Sequence, residues 1–386
     1  MLFSDYCRTN DSPRRNEESQ FAFLDRSARP EIERAREILS VCLTHFPEND
    51  ADELMARIQS GDDVLFASAT FELLLHEGLK RQGYALRAHP EVPGSQRRPD
   101  FLVTTPLGDE FYLEAVLTAE KGRVVAGARK RIGVVEDALA RQPHPDFYVF
   151  LSGSGAPKTP PKAAKCLADI HEWLDSLDPD QVTANRESGY PHTTWSHDGW
   201  KLGITAIPLP PERRGTSTTL VGGMSTGAHM VDARSSLREA VIFKAGRYGD
   251  LDRPLLIAAN YDSVFLSYHD EVDALFGDEL ITLRVGDVDA QPSITRVPNG
   301  AWRDPKGPRG RRACGLWSFR GLNPYNLATC QQLIYLHPWA RRPMPTEMRM
   351  FPHVELIEDS LRFSDGLSLR DVFGLAENWP MSSQTA

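Results

Sequence analysis

Asp100 opens one apolar run and Glu114 sits deep in the next in the stretch "RRPDFLVTTPLGDEFYLEAVLTAEK", residues 97–121. The two runs, "FLVT" and "FYLEAVLT", flank a Pro- and Gly-bearing turn and read as paired strands. Carboxylates on neighbouring strands converge when the register is right. Two of them, with the backbone carbonyl of Ala115, make an all-oxygen set suited to a hard divalent cation, Mg²⁺ or Mn²⁺. Such a cation lowers the pKa of a water and neutralises developing negative charge. The plain alternative makes Asp100 the start of a strand at a turn and Glu114 a solvated edge residue. An unpaired carboxylate among apolar neighbours is costly, which favours a reason for Glu114. Glu72, on a helix apolar almost all round, is the candidate third acid, with a simple ion pair as its alternative.

A positively charged partner is harder to place. Residues i and i+2 share a strand face, so the natural neighbour of Glu114 is position 116, which is Val116. Lys121 has the wrong parity and lies roughly 20 Å along an extended strand. Lys130 falls off the apolar stripe of its helix and is expected in solvent. Lys244 differs: in "SSLREAVIFKAGRYG" it stands amid the face formed by Leu237, Ala240, Val241 and Tyr248. A Lys there needs a carboxylate, a cavity or a route to snorkel out.

The elements that must position these groups follow from periodicity. Residues 1–20 are polar and predict a mobile tail, and 21–65 a helical segment. A long helix ends near Gly83, followed by strands at 84–89 and 100–118. A helix over 123–141 carries Ala128, Ile132, Val135 and Leu139 on one face. "DFYVFLSG" and "GWKLGITAIPL" read as strands with the helix "KAAKCLADIHEWLDSL" between them, and 210–230 as a long Gly/Thr/Ser-rich loop. "RPLLIAANY" is a continuous apolar strand, buried on both faces. Short strands beyond 270 predict a β-rich extension. The fold class is α/β with a mixed sheet, divided as 1–20, 21–65, a core over 66–268 with insertions, and 269–386.

Bulk properties narrow the classes. The 386 residues carry 44 Lys plus Arg against 53 Asp plus Glu, a net charge of −9, which argues against coating nucleic acid by charge alone. The five cysteines show no metal-binding spacing, and no apolar run of about 18 residues suggests a membrane span. A reducing, cytoplasmic setting without membrane contact is expected. Arg97 and Arg98 beside Asp100, and Arg309, Arg311 and Arg312 in "KGPRGRR", could grip phosphates, or simply be solvated. His76, one turn after Glu72, is more ordinarily a core or surface histidine. "GGMSTG" lacks the Lys of a phosphate-binding loop.

"FELLLHEGLKRQGY", "RRPDFLV", "FYLEAV" and "LREAVIFKAGRYG…RPLLIAAN" together resemble the PD-(D/E)xK phosphodiesterase superfamily over about seventy residues. The resemblance implies a restriction-endonuclease-like mixed central sheet flanked by helices, with Mg²⁺ or Mn²⁺ held by Asp100, Glu114 and Glu72. It also implies hydrolysis of nucleic acid, with DNA the first expectation. In that superfamily a Lys follows the strand Glu by two residues, and its migration to a neighbouring helix is a known variation. Lys244 then takes the role of orienting the attacking water. Lys244 and Tyr248 also resemble the Q-x-x-x-Y element of one nuclease branch, with Lys in place of Gln. The alternatives are a non-catalytic relative that binds nucleic acid or a protein, and an assembly protein with homo-oligomeric or other protein partners.

Overall fold

The computed structural model describes residues 1–118, 122–185, 189–226, 233–261, 267–282, 293–357 and 360–381. The chain divides into two compact units. One comprises 1–11, 20–120 and 232–386; the other comprises 12–19 and 121–231.

The first unit begins with helices α1 (Gln20–Arg26), α2 (Pro30–His45), α3 (Glu48–Gln59) and α4 (Asp63–Arg81). Asp62 caps α4 by accepting hydrogen bonds from the amides of Val64 and Leu65 at 2.8 and 3.2 Å. Gly83, at φ +84°, supplies the left-handed turn after that helix. Strands β1 (Ala85–Ala88), β2 (Phe101–Thr104) and β3 (Glu110–Thr118) form an antiparallel meander.

The second unit follows in the chain. It holds α5 (Gly122–Arg141), β4 (Phe147–Gly155), α6 (Ala163–Asp175), α7 (Pro179–Ala184), β5 (His192–His197), β6 (Trp200–Pro208) and β7 (Val221–Thr226). Its sheet runs β5-β6-β4-β7, and Val135, Leu139, Val149, Leu151, Cys166 and Ile170 share its core. Ala128, Val135 and Leu139 are buried and Ile132 packs against that core, as the helical spacing predicts. The expected loop over 210–230 differs: β7 pairs in parallel with β4 over residues 221–226. Its glycines, read as loop formers, let the strand lie close, since a Cβ at Gly223 would meet the Phe150 ring at 2.9 Å. Residues 227–230 of that stretch lie outside the described residues.

The chain then returns to the first unit with α8 (Ala233–Gly246), β8 (Leu255–Tyr261), α9 (Tyr268–Phe276) and the short pairs β9 (Glu279–Thr282) with β10 (Ser293–Arg296) and β11 (Arg303–Asp304) with β12 (Gly307–Pro308). Strands β13 (Ala313–Arg320), β14 (Gln332–Leu336), β15 (His353–Ile357) and β16 (Ser360–Ser364) and helix α10 (Leu369–Phe373) complete it. The eight-stranded sheet runs β1-β2-β3-β8-β13-β14-β15-β16. Both β3 and β13 pair in parallel with β8, whose seven residues are all buried, as its unbroken apolar sequence requires. The structure is therefore mixed α/β, with a central mixed sheet flanked by helices.

Residues on alternate parity divide the core. Phe101, Val103, Phe111 and Leu113 pack with Phe71, Leu75 and Leu79 of α4. Leu102, Tyr112, Leu255 and Ile257 face Leu237, Val241 and Ala245 of α8. Each such fully buried side chain contributes about 1.5–3 kcal/mol by leaving water.

Two expected boundaries are corrected. The span 269–386 is no extension, because β13–β16 build half of the central sheet; the carboxamide of Asn260 on β8 even clamps the Leu322 amide and carbonyl, both at 2.8 Å. Nor is 1–20 a free tail. Leu2 and Phe3 are buried, and Asp137 accepts hydrogen bonds from the amides of Asn16 and Glu17, each at 3.1 Å. Few but well-placed groups tie the segment down, which bulk polarity does not register.

Candidate active site

The hairpin register brings the two expected acids together. Phe101 pairs with Leu113, so Asp100, one residue before β2, stands opposite Glu114. The Ala115 amide donates to Oδ2 of Asp100 at 2.6 Å. Glu114 is 1% exposed and shares the α8 side of the sheet with Tyr112 and Val116.

Helix α8 supplies the cations. Lys244 Nζ donates to Oε1 of Glu114 and lies 3.4 Å from the carbonyl oxygen of Ala115. Arg247 donates to the same Oε1 at 3.2 Å, and the Tyr248 hydroxyl donates to Oε2. Positions 244, 247 and 248 project from one side at i, i+3 and i+4 spacing. The helix tightens there, with the Arg247 amide bonded to the Lys244 carbonyl at 3.2 Å. Neither Arg247 nor the Tyr248 hydroxyl was expected at Glu114, although their spacing from Lys244 was the available signal.

Charge is unevenly settled. Glu114 has two cations and a hydroxyl. Burial, then the charges of Glu114 and Glu72, push the Asp100 carboxyl up to about 8, against the Ala115 amide and Lys244, which favour ionisation. Burial and the adjacent Glu114 hold the Tyr248 hydroxyl protonated, as a donor must be.

Glu72 sits apart from this pair. It projects from α4, on the other side of the sheet, and Arg57 of α3 binds both its oxygens at 2.8 and 2.5 Å, with Ser68 on Oε1 at 3.2 Å. The expected third ligand is thus engaged with a guanidinium, though its charge still reaches Asp100. Arg57 was not foreseen, since its meeting with Glu72 depends on how α3 packs on α4. Among the described residues no three His, Cys, Asp or Glu side chains gather closely enough to hold a metal.

Of the remaining candidates, Lys121 lies outside the described residues and Lys130 is exposed. Arg97 donates to the Arg247 carbonyl at 3.2 Å, beside the site, whereas Arg98 pairs with the exposed Glu91 at 2.9 Å. His76 is buried between Phe46 and Phe101, and burial brings it down to about 4, so it is a neutral core residue. Arg309, Arg311 and Arg312 line a separate cleft.

A divalent ion can be tested against these donors. Asp100, Glu114 and the Ala115 carbonyl offer only oxygen, the ligand that Mg²⁺ or Mn²⁺ prefers. The neighbouring carboxylates keep Asp100 raised despite Lys244, and a cation placed between the acids would relieve that repulsion. The donor set fits one oxygen-ligated cation, and the Lys244 ammonium already touches two of its members. No helix among the described residues is long and apolar enough to cross a membrane. Comparison with protein-family models, curated proteins and solved structures finds no match.

Proposed function

We propose that this chain is a divalent-metal-dependent phosphodiesterase with a restriction-endonuclease-like core, acting on nucleic acid. The observation that carries the reading is the convergence of Asp100, just before β2, Glu114 of β3 and Lys244 of α8, with Lys244 bringing to Glu114 the charge that Val116 lacks. A bound Mg²⁺ or Mn²⁺ would supply charge neutralisation and a lowered water pKa. Asp100, Glu114 and the Ala115 carbonyl are the residues that would hold it. Tyr248 fixes the second oxygen of Glu114 and so the orientation of the first. Lys244 steadies a water or a phosphate oxygen beside that carboxylate, and Asp100 gives up its proton before it can ligate. Arg97 and Arg247 lie where they can bear on a bound phosphate.

One observation favours a second reading, a non-catalytic binding fold. Lys244 and Arg247 already neutralise Glu114, and Arg57 neutralises Glu72, so the ammonium can stand permanently in place of a metal. Calorimetry with Mn²⁺ and Mg²⁺ separates the two. The expected outcome is one metal site in the wild type, lost in Glu114→Ala and retained in Lys244→Ala. Cleavage by Lys244→Ala should fall by about a hundredfold or more. Absence of metal binding in the wild type, with and without nucleic acid, would leave the second reading.

A further inference from the structure

We infer that the arginine cleft on the other flank of α8 is a phosphate-anchoring subsite, which holds the nucleic-acid backbone away from the bond that is cut. The inference rests on the proposed activity for its substrate class. The cleft has a volume of about 300 Å³ and is lined by Ala245, Gly246, Arg309, Arg311, Arg312 and Arg341, among others, without a single Asp or Glu. Four guanidiniums around a cavity with no acid in its lining stand out in a chain of net charge −9.

These arginines are mounted on a fixed frame rather than a solvated loop. The amide of Arg309 donates to the Trp302 carbonyl at 2.8 Å, and the Arg309 carbonyl meets His337 Nε2 at 2.9 Å. The Arg341 amide donates to the Arg311 carbonyl at 2.7 Å, and the Arg311 side chain to the Trp339 carbonyl at 2.9 Å. Trp302 and His337 beneath them are buried. Gly310, at φ +64°, makes the bend that sets Arg309 and Arg311 on either side of it. The side-chain ion pairs that remain are weak: Arg309 reaches Asp304 only at 3.9 Å, and Arg341 hydrogen-bonds Asp250 at 3.0 Å where both groups are largely exposed, worth little in water. Arg312 has no partner among the described residues. A preorganised ring of donors with few internal acceptors is suited to phosphate oxygens.

Spacing ties the cleft to the site. Lys244 and Arg247 leave α8 on one flank, Ala245 and Gly246 on the other. A helix with its side chains is about 10–12 Å across. A strand crossing the C-terminal end of α8 therefore meets the cleft with a different phosphate from the one at Glu114.

The test is fluorescence-anisotropy binding of labelled duplex DNA, single-stranded DNA and single-stranded RNA, in Ca²⁺ and over a salt series. Wild type is compared with Gly246→Glu and Arg312→Ser. A Cβ at Gly246 would meet nothing within 4 Å, and Gly246 lines the cleft, so Gly246→Glu brings a negative charge to it. Unfolding curves check that both cleft variants remain folded. Expected for at least one of the three oligonucleotides are about tenfold weaker binding by Gly246→Glu and a salt slope shallower by about 1 for Arg312→Ser. Unchanged affinity and slope in both cleft variants, or no binding of any oligonucleotide by the wild type, overturns the subsite. Cleavage by wild type with the cleft variants binding normally sinks the cleft alone. Cleft-dependent binding with no cleavage in Mg²⁺ or Mn²⁺ sinks the phosphodiesterase and keeps the cleft.

Discussion

Asp100 and Glu114 stand opposite each other across one strand pair yet are treated differently by their surroundings. Glu114 takes hydrogen bonds from three side chains, Lys244, Arg247 and Tyr248, whereas Asp100 is held by the Ala115 amide. That asymmetry makes a stability prediction. Because the folded state raises Asp100 from 3.8 to about 8, it binds more protons than the unfolded chain between those values. Stability contributed there is present at low pH and lost as pH rises through the folded value. Asp100→Asn removes the acid, so the variant should be more stable than wild type at pH 8.5 by about 1–3 kcal/mol, the scale of a poorly satisfied desolvated polar group, since Asp100 is only half-buried and Lys244 offsets part of its charge. The gain should shrink toward pH 4. Urea unfolding at both pH values measures it, and equal stability at pH 8.5 would show that Asp100 already has a counter-charge.

At the scale of elements, α8 performs two tasks. Leu237, Val241 and Ala245 bind it to β3 and β8, and its last turn with the two residues after it carries the side chains that reach Glu114. Precision there depends on how firmly the neighbouring α9 corner is held. Gly277, at φ +100°, ends α9 where a Cβ would come within 1.8 Å of the Val297 carbonyl oxygen. Gly277→Ala must both strain the backbone and push that segment away, at a cost of at least about 2 kcal/mol. A denaturant midpoint close to wild type would show that the corner yields easily.

Each of the two units has its own hydrophobic packing. Among the described residues, the two clusters of the first unit draw none from 121–231, and the core of the second lies within 132–221. Replacement of 121–231 by a long Gly/Ser linker should therefore leave a cooperatively folding first unit that keeps Asp100, Glu114 and Lys244. Circular dichroism with denaturant titration checks this, and a chain without a cooperative transition would mean that the second unit is needed to fold the first.

Local pattern alone was enough to read the strands around Asp100 and Glu114, the stripe on α5, the buried β8, and the anomaly of a Lys on the apolar side of α8. Each depends on residues a few positions apart, where periodicity of 2 or 3.6 is a direct consequence of backbone geometry. Long-range pairing decided the rest. The placement of β13 and β14 beside β8, the capture of Glu72 by Arg57, the Leu2–Phe3 anchor, and the frame that assembles Arg309, Arg311, Arg312 and Arg341 all join segments distant in the chain. Composition is blind to such meetings, because a residue type carries no record of the partner that packing will bring to it. Lys244 stands between the two: its place on the apolar stripe was legible from its own helix, whereas the carboxylate that it meets, 130 residues away, was brought to it by the sheet.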